Sequence, residues 1–444
     1  MGGLAALLVV AIGVVVWRLD SHSSTHAAAS ASASISSPVA GEVRSRRAPV
    51  RPRPVLTPAA RRLRAGLQRQ MRLGGRGTGG EVYDLGAGTT LFSLRDGVKR
   101  PPASVEKLYT TVALLNKLSP NLRLRTTVLG TGHLGPGGVW RGDLYLRGGG
   151  DPTFGDSTFN RVWELGYGPT ASQLAAQLLH RGIRRVTGSV VGDASLFDAR
   201  RGGPGTAYAA DTPDFGGQLS ALSYDHGSTG GGLSPGAFAA KELVLTLLAS
   251  HVQAGASKRT TRTPRRAHVL ATVSSPPLSV MLSLMDVPSD DLFAELLTKQ
   301  LGARFARSGS ITGGARVIRG VIHDTYDLNP SIVDGSGLSR RDRSSPREIV
   351  ALLRKVWRTP VGARLWSSLP VVGVTGTVRT IGTGSAAQGH CVAKTGTLDS
   401  VTNLAGYCHG RGHHLVAFAL LIDGPTNPDA LVLLSRMIGA IARY

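Results

Sequence analysis

Pro102-Ala103-Ser104-Val105-Glu106-Lys107 sets a serine and a lysine three positions apart at the head of a helical pattern that runs from Ser104 to about Leu118. Side chains three apart on a helix share a face, so the Ser104 hydroxyl and the Lys107 amine lie within reach of each other. That is the geometry of an activated nucleophile. A serine needs a nearby base, and a lysine serves as one when burial or a second cation strips its proton. The position adds a second property, because unpaired N–H groups at a helix start point outward and can stabilise the oxyanion of a tetrahedral intermediate. Ser-x-x-Lys is still a short pattern, and about one such spacing arises by chance in a chain of 444 residues.

Two further patterns raise its weight. Ala393-Lys394-Thr395-Gly396-Thr397-Leu398 reads as a strand with a cation, hydroxyls and a glycine that permits close approach of a substrate backbone. Lys394 can hold a carboxylate, Thr395 can add a hydrogen bond, and the N–H of Thr397 can donate to an oxyanion. Read alone, the stretch is better taken as a surface lysine on an edge strand. Ser289-Asp290-Asp291 stands just before an apolar-periodic helix from Leu292 to Phe305, where Ser or Asp is an ordinary N-cap. The functional reading makes Ser289 a proton relay between Lys107 and a leaving nitrogen. Val374-Thr375-Gly376-Thr377 echoes the Lys-Thr-Gly pattern without its lysine and reads as a decoy. The order Ser-x-x-Lys, Ser-Asp-x, Lys-Thr-Gly is that of the serine enzymes that form acyl-enzymes with β-lactams.

With these motifs the chain resembles the low-molecular-mass class C penicillin-binding proteins, D-alanyl-D-alanine carboxypeptidase/endopeptidases, from about residue 56 to the C-terminus. Gly148-Gly149-Gly150-Asp151-Pro152-Thr153, Asp334-Gly335-Ser336-Gly337-Leu338-Ser339-Arg340 and Leu404-Ala405-Gly406 belong to the same resemblance. It implies an α+β fold: a transpeptidase-like domain, antiparallel sheet with helical subdomain, interrupted by a smaller β-rich insertion. It implies Ser104, Lys107, Ser289, Asp291 and Lys394 as catalytic groups, Thr395, Gly396 and Thr397 as substrate-binding ones, and no metal or organic cofactor. Peptidoglycan stem peptides and β-lactams are the implied partners. The alternatives are a catalytically weakened or non-catalytic wall-binding homologue, or a β-lactamase, whose deacylating base has no candidate here. Two departures stand out. Asp291 occupies the family's asparagine position, and a carboxylate accepts hydrogen bonds but cannot donate them. It is expected to pair with Lys107 or Lys394, favouring a charged lysine and slowing acylation. The stretch between Ser104 and Ser289 is also short for the family, so one inserted subdomain is expected to be missing.

The pattern of the whole chain agrees with an interrupted domain. Helical runs at Thr57–Arg72 and after Ser104 flank a hairpin at Glu81–Leu85 and Thr90–Leu94. Glycine-punctuated strands follow, with a helix at Ala171–His180. Helices then return at Leu278–Met285, Leu292–Phe305 and Pro346–Val356, before strands at Val392–Lys394, Asn403–Tyr407 and His414–Ile422 and a last helix at Asp429–Ala442. The expected division is 1–20 signal peptide or membrane anchor, 21–56 disordered linker, 57–125 with 266–444 catalytic domain, and 126–265 inserted domain. The glycine triplet at 148–150 lacks the Gly-Lys-Ser/Thr of a phosphate loop and reads as a tight turn.

Composition bounds the partners. With 41% hydrophobic and 18% charged residues the chain can bury a full core, and its formal charge of +23 is nearly all arginine spread along the chain. No aromatic residues interleave with the basic run from Arg44 to Arg76, so nucleic acid is not implied. A solvated basic surface near anionic wall polymers or lipid headgroups fits better. Leu4–Trp17 is apolar but too short for a comfortable membrane span, and small-x-small tripeptides follow at 29–33, so export, with membrane contact through this segment, is expected. The two cysteines, Cys391 and Cys408, lie at mutually facing positions of a hairpin that turns near Asp399-Ser400. A cross-strand disulfide and two buried thiols are both compatible with that register.

Overall fold

The computed structural model describes residues 57–210 and 216–444. The expected leader and linker, 1–20 and 21–56, lie outside the described residues.

Among the described residues ten strands fall into two five-stranded sheets. The first holds β1 (Gly79–Asp84), β2 (Thr89–Leu94), β8 (Cys391–Leu398), β9 (Val401–His409) and β10 (Leu415–Asp423) in the antiparallel order β2-β1-β10-β9-β8. Strands from both ends of the chain thus share one sheet. The alternation of β10 shows how it is covered. Val416, Phe418, Leu420 and Ile422 face a core with Leu63, Leu67 and Met71 of α1 (Pro58–Leu73) and Met437 and Ile438 of α11 (Asn427–Ala442). Ala417, Ala419 and Leu421 face the opposite core, with Leu108 and Tyr109 of α2 (Lys107–Lys117). Alanines on that face let helices approach closely. The result is an α/sheet/α sandwich, and the α+β class expected from the sequence is the one observed.

The second sheet holds β3 (Arg125–Gly135), β4 (Val139–Arg147), β5 (Arg185–Asp193), β6 (Gln253–Thr260) and β7 (His268–Ser274) in the order β6-β5-β4-β3-β7. β4, β5 and β6 run parallel, and β3 joins β4 and β7 antiparallel. The parallel pairs need crossovers, which α3 (Ser157–Trp163) with α4 (Ala171–His180), and then α5 (Pro235–Ala249), supply. The sequence indicated only α4 of these, since α5 is apolar on nearly every side and shows little period. β7 lies beyond residue 265, where the insertion was expected to end. This sheet has its own core, built around Leu144, Val190, Leu174 and Leu243. Helices α6 (Leu278–Asp286), α7 (Asp291–Phe305), α8 (Ile311–Tyr326), α9 (Pro346–Val356) and α10 (Pro360–Ser368) then return the chain to the first sheet.

Cys391 and Cys408 are cross-strand partners, with Cα atoms 4.0 Å apart and their sulfurs bonded. Both are buried in the core shared with α1 and α11, on the sheet face opposite to Lys394.

Candidate active site

Ser104 does not open an α-helix directly. It lies in a single 3-10 turn, Ala103–Glu106, which feeds α2 at Lys107. The tighter turn still sets residues three apart on one side. Lys107 Nζ lies 3.0 Å from Ser104 Oγ. The turn is held from three sides. Asn403 of β9 donates from Nδ2 to the carbonyls of Pro101 and Pro102, at 3.0 and 2.9 Å. A Cβ on Gly396 of β8 would stand 2.4 Å from the Pro102 carbonyl oxygen, and one on Gly337 2.0 Å from that of Ala103. The glycine of Lys-Thr-Gly therefore admits the turn that carries Ser104, whereas the sequence suggested that it admits substrate.

Lys107 is fully buried and makes three polar contacts: Ser104 Oγ, Asp291 Oδ1 at 2.5 Å and the carbonyl of Ser336 at 3.0 Å. The expected pairing of Asp291 is thus with Lys107. Burial raises the Asp291 carboxyl above its ordinary value, against the pull of the lysine.

The Ser289-Asp290-Asp291 segment divides its tasks. Asp290 is the N-cap of α7, its Oδ1 accepting from Phe293 N at 2.8 Å, while its Oδ2 meets His226 Nε2 at 2.7 Å. Ser289 takes a left-handed backbone, φ 68°, outside the helix. Its hydroxyl accepts from Lys394 Nζ at 2.7 Å, so its partner is Lys394 and not the expected Lys107. Alternation along β8 explains the reach: Val392 and Lys394 face the helices, and Cys391 and Ala393 face α1 and α11. Lys394 is fully buried. Burial and the neighbouring Lys107 charge pull its amine down to about 7, against the opposing influence of Asp286 and Asp291.

β8 is an outer strand. The N–H of Ala393 points away from β9, to the carbonyl of Pro370 at 3.1 Å, so the N–H groups of Thr395 and Thr397 point to the same side. Thr395 Oγ1 meets Thr377 Oγ1 at 2.7 Å. The apparent decoy therefore belongs to the site. Thr377 N donates to the Val287 carbonyl at 3.1 Å, tying the loop before Ser289 to β8. The Thr397 side chain is exposed and makes none of these contacts.

Asp286, at the end of α6, accepts from Thr111 Oγ1 at 3.0 Å and Ser368 Oγ at 2.7 Å, and burial raises it to about 6. Glu295 accepts from the N–H groups of Gly335 and Ser336, at 3.0 and 2.8 Å, and Asp334 from those of Gly337 and Ser339, at 2.8 and 2.9 Å. These carboxyls shape the 334–340 loop that presents the Ser336 carbonyl to Lys107. Asp286, Glu295 and Asn403 carried no motif that singled them out, and Thr377 stood in the stretch that reads as a decoy. Two open clefts on the surface lie away from these groups. The candidate centre lies beside the outer edge of β8.

The sequence model of the D-Ala-D-Ala carboxypeptidase 3 (S13) family matches residues 59–237 and 233–443. The chain is 29% identical over 392 residues to carboxypeptidase DacB of Mycolicibacterium smegmatis, covering 81% of this chain and 79% of that protein. It is 27% identical over 451 residues to the D-alanyl-D-alanine carboxypeptidase of Actinomadura sp., covering 82% and 80%. Among solved structures, penicillin binding protein 4 (dacB) from Haemophilus influenzae superposes with a TM-score of 0.72 at 20% identity, over 86% of this chain and 99% of that one, a likeness of fold.

Proposed function

The chain belongs to the D-Ala-D-Ala carboxypeptidase 3 (S13) family and is a serine-type carboxypeptidase, and from that premise we propose that Ser104 is its nucleophile and peptidoglycan stem peptides its substrates. The observation that carries the assignment is the convergence of Ser104, Lys107, Asp291, Ser289 and Lys394 from three distant stretches of sequence. Ser104 Oγ attacks the penultimate D-alanine carbonyl and gives up its proton to the lysine site. The tetrahedral oxyanion is met by the N–H groups of Ser104 and Thr397. The bond to the terminal D-alanine breaks, a proton passes to its nitrogen, and D-alanine leaves. Water then releases the acyl group from Ser104. The N–H of Thr395 and the hydroxyls of Thr395 and Thr397 line the edge along which the peptide lies, with β8 as an edge strand for backbone pairing. Gly396 serves indirectly, by letting the Ser104 turn close against β8.

Catalysis outside the cytoplasmic membrane, after export through the N-terminal segment, follows from that substrate. No helix among the described residues is long and apolar enough to cross a membrane. We further propose that 57–125 with 266–444 form the catalytic domain and 126–265 the main part of an insertion, a division supported by the separate cores of the two sheets.

Asp291 favours a slowed form of this enzyme over a fast one. The test is labelling by a fluorescent penicillin, with D-alanine release from a peptide ending in D-Ala-D-Ala. Ser104→Ala is expected to abolish both; labelling that survives in that variant removes Ser104 from its role.

A further inference from the structure

An open cleft of about 710 Å³ lies where the three parallel strands of the second sheet end. Arg147 is the last residue of β4, Asp193 the last of β5, and Arg262 follows β6; Arg307, just beyond α7, closes the opposite wall. Carboxyl ends of parallel strands are where open α/β sheets place ligands, because the loops that leave them diverge and expose unpaired backbone groups. Here those loops carry cations. Among the described residues the guanidiniums of Arg147, Arg262 and Arg307 have no carboxylate or carbonyl partner, and all three are exposed.

The acids that line the cleft are already engaged. Asp193 accepts from Ser195 N at 3.0 Å, and from Thr263 N and Oγ1 at 2.8 and 2.6 Å; Asp198 Oδ1 pairs with Lys299 Nζ at 2.6 Å. Against burial, the hydrogen bonds from Thr263 and Ser195 hold the Asp193 carboxyl below its ordinary value, so it keeps its charge, whereas Asp198 is paired with Lys299; three forked donors thus face a space with one unpaired anion of the protein's own. A guanidinium matches two oxygens of one phosphate or carboxylate, and a phosphodiester, with one charge like a carboxylate, spreads it over two tetrahedral oxygens that can each accept from a different guanidinium. The cleft also has an extension. β6 is an outer strand, and Lys258, Arg259, Arg265 and Arg266 in and after it are exposed and without ion-pair partners among the described residues. The simpler reading of these last four is protection of a sheet edge against pairing. That reading does not account for three arginines gathered across a cleft from β4, the β6 loop and the end of α7.

We propose that this cleft binds phosphate-ester oxyanions, and that the basic run along β6 extends it into a track for a linear phosphodiester polymer. The polymer's identity rests on the reading of the chain as a wall enzyme; the cleft itself does not. Ala303, in the cleft, and Asp291 are twelve positions apart on α7, so the two sites stand about 18 Å apart and fail independently.

The experiment titrates the full chain with poly(glycerol phosphate), inorganic phosphate and polyglutamate of matched charge. Tighter binding of poly(glycerol phosphate) than of polyglutamate is expected. The triple variant R147Q/R262Q/R307Q should lose at least about ten-fold in affinity, the loss of three hydrogen bonds to a charged group being the cause. A control triple on α1, R61Q/R64Q/R72Q, should change affinity less than about two-fold, since net charge alone acts weakly at physiological salt. Unchanged fluorescent-penicillin labelling of both variants reports an intact fold and active site. Inorganic phosphate binding as tightly per phosphate as the polymer upholds the cleft and overturns the track. Equal loss in both triples, no loss in the first, or equal binding of polyglutamate overturns the proposal.

Discussion

Two of the three neighbours of Lys107 Nζ, the Asp291 carboxylate and the Ser336 carbonyl, can only accept, so they take two of its hydrogens whether it is amine or ammonium. The third neighbour, Ser104 Oγ, distinguishes the states: it donates to an amine and accepts from an ammonium. A carboxylate at 2.5 Å favours the ammonium, and with it the idle form of the serine. Asparagine at 291 would keep an accepting oxygen and remove the charge. Asp291→Asn should therefore raise the rate of acylation by benzylpenicillin at pH 7; a rate unchanged or lower refutes this account of the departure. The pH profile follows from Lys394, which titrates at about 7. Its proton-free fraction grows as pH rises, so stopped-flow acylation should accelerate from pH 6 to pH 8. Asp291 holds the Lys394 value up, so the Asn variant's rise should begin at lower pH. The five groups of this centre were legible because motif order and spacing mark them. Asp286 and Asn403 were not, since a single polar residue in an otherwise ordinary element acquires meaning only from what folding sets beside it, and the signal at Thr377 was misread as a decoy because its echo of Lys-Thr-Gly lacks the lysine.

At the scale of elements, the contact between β8 and the Ser104 turn carries the site. Gly396→Ala would drive a methyl into the Pro102 carbonyl, a backbone atom that cannot swing aside. We expect it to destabilise the protein by roughly 1–3 kcal/mol and to slow acylation more than Thr397→Ala does; a variant that labels at the wild-type rate would show that the turn can move freely. Behind this contact, the Cys391–Cys408 bridge joins β8 to β9. A closed loop of this size restrains the unfolded chain by about 3 kcal/mol, so the double serine variant should unfold at lower denaturant. The same thiol count in denatured protein with and without reductant would rule the bridge out. The hairpin register was readable from the sequence, because facing cysteines and β-rich runs fix it. The parallel half of the second sheet was not: its strands are joined by helices with weak periodicity, and β6 is polar and exposed along its length.

For the whole molecule, the core beneath the site imposes a cost that depends on pH. Glu106, Glu295, Asp334 and Asp342 are buried together, with both oxygens of Glu106 unpartnered. Burial raises all four, joined by repulsion from neighbouring carboxylates at Glu106, Glu295 and Asp342, and places Glu295 at about 8 and Asp342 at about 10. A raised carboxyl keeps its proton in the native state after the unfolded chain has lost it. Stability is thus fullest below the ordinary carboxyl range and declines as pH climbs toward the folded values, by about 1.4 kcal/mol per unit for each such group. Glu106→Gln should then narrow the loss of melting temperature between pH 5 and pH 8; an equal loss in both proteins contradicts the buried-proton reading. This fold gathers acids around one lysine pair so that motif residues scattered over most of the chain meet in one place. The measurement that tests that meeting most directly is intact mass after incubation with benzylpenicillin, followed by mapping of the modified peptide. One adduct per chain on the peptide bearing Ser104 is predicted, and no adduct, or an adduct that maps elsewhere, would contradict the assignment.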